Sequence, residues 1–308
     1  MDTLKIERLI NELKALAVKT IEDSTFKKAV QYFGVESQSN VLLPSGDEKY
    51  RSFWVRDAAM MAESELIPTE DLKQYIEIFA THAQNGAKTR HLENGLTVPP
   101  YAIADHVNYD GGAVFFPGTY ASGENQGNGS FGFFPPFCDN YYFIMMVEYY
   151  VNQSGDRAIL DTVLGGIPLS KRMEYAFEGY NVDDNSGLCI SDAEAYTVDW
   201  GFVDTIKKSG KLLMASLLRY NAAMALFRLL DDKVYLTEAQ KIKSAILDTF
   251  YDNNTGWFYS AATAGQSALR PAVLQPDRGA SRCSCHIHKA ASCHTYSAIR
   301  YLPALWQQ

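Results

Sequence analysis

The chain lacks the features that mark several large classes of protein. Its 28 Lys and Arg are outnumbered by 36 Asp and Glu, which gives a net charge of −8. That balance argues against a nucleic-acid binder, which would present a basic face. No apolar run reaches the length of about 18 residues that a membrane span requires, and the amino terminus lacks the pattern of a signal peptide. We therefore expect a cytoplasmic chain with no nucleic-acid partner and no membrane partner.

Cysteine is scarce, and its count of five is odd. Cys138 and Cys189 stand alone, so we expect free buried thiols in a reducing compartment rather than a disulfide framework. The other three cysteines lie within residues 283–294, together with three of the six histidines. Thiolates and imidazoles are zinc ligands, but this spacing does not pair one C-x-x-C with another. We therefore expect no designed metal site and no cofactor.

Acidic residues are almost missing from the carboxy-terminal part of the sequence. Between Ala261 and Gln308 the only one is Asp277, although the whole chain has 36. Such an abrupt change in composition predicts two segments. We expect a helical domain over residues 1–260 and an atypical tail over residues 261–308, which is either frameshifted or disordered.

Aromatic residues, in contrast, are plentiful. They make up 13% of the chain, including 19 Tyr, and many stand in segments rich in Gly and Pro. Sugars present flat C–H faces that stack on aromatic rings, so aromatic loops suit a carbohydrate site. Any single ring is explained equally well as part of the core.

Helical periodicity recurs along the chain and is interrupted by long irregular segments. It predicts about seven helices, near residues 3–22, 54–62, 69–79, 139–152, 156–178, 211–230 and 233–251. Thr69 and Asp139 are candidate N-caps. No βαβ alternation and no short repeat accompanies these helices. The pattern predicts an all-α fold of helical hairpins arranged around an axis, joined by long aromatic loops.

The segment Phe53-Trp54-Val55-Arg56-Asp57 lies near the start of a predicted helix. On its own it is explained by a carboxylate at a helix N-terminus beside a structural arginine. The string WVRDAAMMAES, however, resembles the W-x-R-D signature of six-hairpin glycosidases, which include glucoamylase-like and glycogen-debranching-like enzymes. The resemblance implies an (α/α) toroid in which Trp54, Arg56 and Asp57 bind the terminal sugar.

Two further pairs of polar residues are candidates for binding a sugar. Asp105 and His106 lie in an irregular loop that also contains Asp110, Tyr120 and Glu124. His106 is open to a structural interpretation in which Asp105 only orients it. Asp139 and Asn140 begin an apolar helix, where capping explains the aspartate without any function. Six-hairpin enzymes often present such a pair to the cavity, so the resemblance implies substrate binding for Asp139 and Asn140.

Several carboxylates and an aromatic residue share a second irregular segment, in which Asp192 and Glu194 are followed by Asp199 and Trp200. Glycoside hydrolysis requires one carboxyl that donates a proton and another that activates water or attacks carbon. The stretch YTVDWGFVDT resembles the D-W-G segment of rhamnosidase-like and debranching-like toroids. The resemblance implies that Asp199 or Glu194 is the acid, with Asp192 behind them and Trp200 at the substrate. The alternative is that Asp199 only orders the loop.

The predicted helices account for only about half of a complete ring, and the catalytic base of many such enzymes lies in a late hairpin. We therefore expect an incomplete toroid. The leading hypothesis is an inverting glycoside hydrolase with a carbohydrate substrate. A non-catalytic sugar-binding remnant, and a lyase, epimerase or zinc-dependent cyclase on the same ring, stay open as alternatives. The sugar, the linkage and the oligomeric state are not readable from the sequence.

Overall fold

The computed structural model describes residues 3–26, 40–43, 52–92, 95–108, 111–115, 134–179, 181–191 and 209–262. These ranges contain a short 3-10 helix at Arg157–Asp161 and the α-helices Thr3–Ser24 (α1), Val55–Ala62 (α2), Thr69–His82 (α3), Phe137–Ser154 (α4), Leu169–Glu178 (α5), Leu213–Leu230 (α6) and Lys233–Phe250 (α7). Helices dominate the described chain, which confirms the predicted all-α class.

The strands are two or three residues long and all pair antiparallel. They are Thr25–Phe26 (β1), Val41–Leu42 (β2), Ser52–Trp54 (β3), Arg90–His91 (β4), Thr97–Val98 (β5), His106–Asn108 (β6), Ala113–Val114 (β7), Val163–Leu164 (β8), Ile167–Pro168 (β9), Ile190–Ser191 (β10), Gly210–Leu212 (β11), Tyr251–Asp252 (β12), Trp257–Phe258 (β13) and Ala261–Ala262 (β14). Several of them lie in the connections that the sequence marks as irregular.

Three successive helical hairpins build the core. The first helices of the hairpins, α2, α4 and α6, pack one against the next. The second helices lie outside them: α3 packs on α2 and α4, α5 on α4 and α6, and α7 on α6. Most side chains of α4 and α6 are buried, because both helices are apolar on nearly every side. This arc of hairpins is the predicted incomplete toroid.

Contrary to the expectation from the sequence, α6 is long and apolar enough to cross a membrane, and it is the one such helix in the described part of the chain. However, 72% of this window is buried inside the protein. A core helix passes the same test of length and composition, so the finding is weak evidence for a membrane span.

Proline residues set the starts of three helices, and their positions show that two predicted N-caps are wrong. The N-cap residues of α3, α4 and α5 are Pro68, Pro136 and Pro168, each with extended backbone at ψ near 140° (139°, 139° and 143°). The predicted N-cap at Thr69 is therefore wrong, since Thr69 is already helical. Asp139 is not an N-cap either, because it lies in the first turn of α4. A proline before the helix has a fixed φ, and its missing N–H removes no helical hydrogen bond.

The two isolated cysteines can be compared with their prediction. Cys138 and Cys189 are buried and form no disulfide within the described residues, as predicted. Ala261 and Ala262 pair with β11, and the division of the chain at residue 260 stays a prediction. The Cys/His cluster at residues 283–294 lies outside the described residues.

Candidate functional site

A three-stranded sheet joins two of the predicted motifs at the start of α2. Strand β3 runs directly into α2 and pairs with β6, so that Trp54 lies opposite His106. The two rings are in contact, with centroids 4.1 Å apart and planes at 35°. The Val55 N–H also donates to the Asp105 carbonyl at 3.1 Å. The residues of W-x-R-D and the Asp105–His106 pair, distant in sequence, are thereby brought to one place.

Asp105 and His106 form a buried polar pair within this sheet. Each residue is only 3% exposed, and His106 Nδ1 lies 2.7 Å from Asp105 Oδ2. Asp105 is itself fixed because its N–H donates to the Val114 carbonyl at 2.9 Å. A carboxylate bonded to one ring nitrogen sets the orientation of an imidazole and the role of its other nitrogen. Asp105 therefore orients His106, as the structural interpretation of the sequence expects.

Asp139 is the most deeply buried acid of the site, with no exposed surface. Its Oδ1 has only a weak contact with the Cys138 thiol, at 3.9 Å. Its Oδ2 has no hydrogen-bond partner within the described chain. Burial raises the pKa of Asp139 well above its usual value, the charge of Asp105 raises it further, and Arg56 opposes both. The surroundings therefore favour the protonated form of this carboxyl.

Arg56 and Asp57, in the first turn of α2, are partly buried beside the same charges. Burial raises the pKa of Asp57; Arg56 lowers it and Asp105 adds to the rise. Burial would lower the pKa of Arg56, but the neighbouring titratable groups Cys138, Asp57 and Asp105 outweigh that effect and raise it. Arg56 thus supplies positive charge to a cluster that contains Asp57, Asp105 and Asp139.

Asn140 uses its amide to hold the site together. Its Oδ1 accepts a hydrogen bond from the Ile103 N–H at 2.8 Å, and its Nδ2 donates to the Ala176 carbonyl at 2.9 Å. The side chain, 3% exposed, therefore links the segment before β6 and the helix α5 to the start of α4. These bonds give Asn140 a structural role beside its predicted binding role.

The predicted catalytic residues Asp192, Glu194 and Asp199 lie outside the described residues, as do Trp200, Asp110, Tyr120 and Glu124. The chain is described up to Ser191, where β10 pairs with β11, and β11 leads into α6. The undescribed segment therefore precedes the start of α6. Arg56 and Asp57, and likewise Asp139, lie at the starts of the two preceding inner helices, α2 and α4.

Sequence reasoning missed a second buried cluster, centred on Arg219 of α6. Its guanidinium donates to the Phe177 carbonyl at 2.6 Å, lies 3.3 Å from Glu238 Oε1, and covers the Phe177 ring at 4.2 Å. Tyr141 lies within 3.5 Å of Arg219 and within 3.4 Å of Cys189 Sγ. The cluster ties α4, α5, α6 and α7 together. The sequence signal that could have indicated this cluster is an arginine inside an otherwise apolar helix.

Metal binding has no candidate in the described ranges. No group of three or more His, Cys, Asp or Glu side chains in them is arranged to hold a metal ion.

Comparison with known proteins gives no family for the chain. No family model matches it, and no curated protein matches it. Among solved structures it is similar to a rhamnosidase from Klebsiella oxytoca with rhamnose bound, at 17% identity, 80% coverage of this chain, 41% coverage of that chain and TM-score 0.45.

Two other solved structures are similar to the same degree. A D-mannose isomerase matches 98% of this chain and 66% of its own, at 10% identity and TM-score 0.47. A GH78 family rhamnosidase of Bacillus sp. GL1 matches 79% of this chain and 21% of its own, at 12% identity and TM-score 0.46. The chain thus spans less than two thirds of each of these structures.

Proposed function

We propose that the chain is a carbohydrate-processing enzyme whose sugar site lies at the starts of α2 and α4, and that its reaction is hydrolysis of a glycosidic bond. The observation that carries the proposal is the Asp139 carboxyl, which is fully buried and has one oxygen without a hydrogen-bond partner in the described chain. Buried polar groups are nearly always bonded, so an exception calls for a specific explanation. In this proposal a sugar hydroxyl supplies the missing partner, and the groups that bury Asp139 move aside to admit it.

The groups around Asp139 suit the chemistry of a sugar. Each hydroxyl both donates and accepts hydrogen bonds, and the site offers the donor Arg56 beside the carboxyls of Asp57 and Asp105. Trp54 adds an apolar ring surface, with its orientation fixed by contact with His106. In this proposal Arg56 and Asp57 bind the hydroxyls of the terminal sugar, and Asn140 holds the surrounding backbone.

The catalytic part of the proposal assigns proton donation to Asp199 or Glu194, with Asp192 behind them and Trp200 at the substrate. Its support is the D-W-G resemblance; in sequence the segment lies between β10 and β11, and β11 leads into α6. A second carboxylate would activate water for inversion of configuration. Inverting enzymes separate the two carboxyls by roughly 6.5–9.5 Å, and retaining enzymes by about 5–5.5 Å.

The Asp105–His106 pair favours a second candidate, sugar isomerisation or epimerisation. A histidine oriented by a buried carboxylate is a suitable general base for removing a proton next to a carbonyl group. In an isomerisation His106 would take the proton from C2 of the open-chain aldose and return it to C1, while a proton passes from the C2 hydroxyl to the C1 oxygen. In an epimerisation a proton would return to C2 on its opposite face. No glycosidic bond would be broken, so the two candidates give different products.

Proton NMR of the full chain with 4-nitrophenyl α-L-rhamnoside, a rhamnose-containing oligosaccharide, L-rhamnose and D-mannose separates these functions. Hydrolysis releases a free sugar with one anomer in excess, and Asp199→Asn or Glu194→Gln should abolish it while sugar binding persists. Conversion of an aldose to a ketose or an epimer, lost in His106→Gln, supports the second candidate instead. Binding without turnover identifies a non-catalytic remnant, and absence of binding and of turnover contradicts the proposal.

A further inference from the structure

We propose that Asp139 meets the bound sugar as a neutral carboxylic acid and donates a hydrogen bond from its unpartnered oxygen to a sugar oxygen. The inference rests on the proposed function and adds the protonation state and the direction of one hydrogen bond. It assigns Asp139 the role of a binding residue whose ability to bind depends on pH.

The geometry around Asp139 does not support a carboxylate anion. The side chain has no exposed surface, so water does not solvate a charge there. Between the described residues Asp139 and Arg56 no hydrogen bond or ion pair is formed, although the charge of Arg56 is felt at Asp139. An ionised carboxyl buried without a bonded partner is costly, and such groups become neutral instead. A neutral acid in the same place retains one O–H donor.

Three titratable groups, on α2, before β6 and within α4, act on Asp139. From α2, Arg56 favours the anion; from the residue before β6, Asp105 disfavours it; and within α4 the Cys138 thiol weakly favours it. Burial is the largest effect and raises the pKa of Asp139, and the charge of Asp105 acts in the same direction. His106 is bonded to Asp105, with 2.7 Å between Nδ1 and Oδ2.

The sign of the pH dependence follows from this assignment. A neutral Asp139 binds fully below its raised pKa, and binding is lost as the pH increases through that pKa. Above it, affinity should fall about tenfold per pH unit, because one proton must be taken up with the sugar. An Asp139 that accepted hydrogen bonds as a carboxylate would give the opposite trend, with affinity increasing with pH.

Calorimetric titration of L-rhamnose and D-mannose into the full chain across pH 5–10 tests the inference. Asp139→Asn keeps an N–H donor of similar shape but does not titrate, so we expect it to bind without the loss at high pH. A pH dependence that comes from any other group would persist in that variant and is thereby distinguished. Glu148→Gln, which removes another buried carboxyl of α4, is the matched control and should keep the wild-type pH profile.

Infrared difference spectra between the wild type and Asp139→Asn give an independent readout. We expect the carbonyl band of a protonated carboxylic acid in the wild type at a pH where the sugar binds with full affinity. Three outcomes overturn the inference: affinity that increases with pH, a pH profile that is the same in Asp139→Asn, or absence of that band. In each of these cases sugar binding still supports the proposed function. Absence of binding of either sugar at every pH overturns both.

Discussion

The two ends of α4 place similar carboxyl groups in very different surroundings. Glu148, in the second half of the helix, is 7% exposed and accepts two hydrogen bonds from Arg228 of α6, at 2.5 and 3.0 Å. Asp139, in the first turn, is fully buried and has one oxygen with no partner in the described chain. One helix thus carries a satisfied buried acid and an unsatisfied one.

The difference separates a structural acid from a candidate functional one. At Glu148 a cation on a neighbouring helix compensates for burial, and the pair holds α4 against α6. At Asp139 no cation of the described chain is bonded, and a second acid, Asp105, lies near. A folded protein gains no stability from that arrangement, because the burial of an unpaired acid is costly. Strongly perturbed groups of this kind cluster at functional sites, which supports the proposed sugar site.

Removal of the Asp139 carboxyl should have the largest effect on function. We expect Asp139→Ala to weaken binding of L-rhamnose or D-mannose by about 10- to 100-fold, because a buried hydrogen bond to the ligand is lost. Calorimetric titration at pH 6 measures the change. If the affinity of Asp139→Ala for the sugar stays within a factor of two of the wild type, the sugar binds elsewhere.

Breaking the satisfied pair should instead affect stability. Glu148→Gln removes the charge that accepts from Arg228, which costs roughly 1–2 kcal/mol for a charge-assisted pair with a half-exposed partner. We expect Tm to fall by about 2–6 °C, measured by thermal unfolding followed with circular dichroism. Sugar affinity should stay within twofold of the wild type. A large loss of affinity would show that the two ends of α4 do not differ in role.

For Asp139→Asn we expect the opposite change in stability, an increase. Because the pKa of Asp139 is raised in the folded state, its contribution to stability is fully present below the unfolded pKa of about 3.9 and is lost as the pH increases through the folded pKa. At pH 7 the variant should therefore have a higher Tm than the wild type. The advantage should vanish near pH 4, and a lower Tm at pH 7 would contradict this account.

The smallest effect is expected from Asp105→Asn, which removes the negative neighbour of Asp139. Since that charge raises the pKa of Asp139, its loss should move the decline of sugar affinity to lower pH. The affinity at pH 5 should change little, provided that His106 keeps its orientation through the amide. Calorimetric titrations of the wild type and Asp105→Asn across pH measure the shift. A decline that moves to higher pH in the variant would contradict this mechanism.

The helical fold and part of the site could be predicted from local sequence. The periodicity of α3 indicates its buried face, and the apolar sequences of α4 and α6 indicate that both helices are buried. The resemblance of the W-x-R-D string to six-hairpin glycosidases makes Trp54, Arg56 and Asp57 candidate site residues. The helix starts were less accurate. Composition favours side-chain capping by Thr69 or Asp139, yet the preceding prolines set the helix starts.

The missing partner of Asp139 could not be predicted, because it depends on how α2 and the strand β6 pack against α4. No property of the residues beside Asp139 in sequence reveals that Asp105 comes near it while Arg56 forms no bond with it. The Arg219 cluster was missed for the same reason, since its partners are contributed by three other helices. The Asp192, Glu194 and Asp199 assignments stay predictions from the sequence.

A crystal structure of the chain with bound L-rhamnose or D-mannose tests the central claim most directly. The account predicts a sugar oxygen within about 2.5–3.0 Å of Asp139 Oδ2, with further hydroxyls at Arg56 and Asp57. A sugar bound elsewhere, or an Asp139 Oδ2 that bonds only to protein groups in the complex, would contradict it.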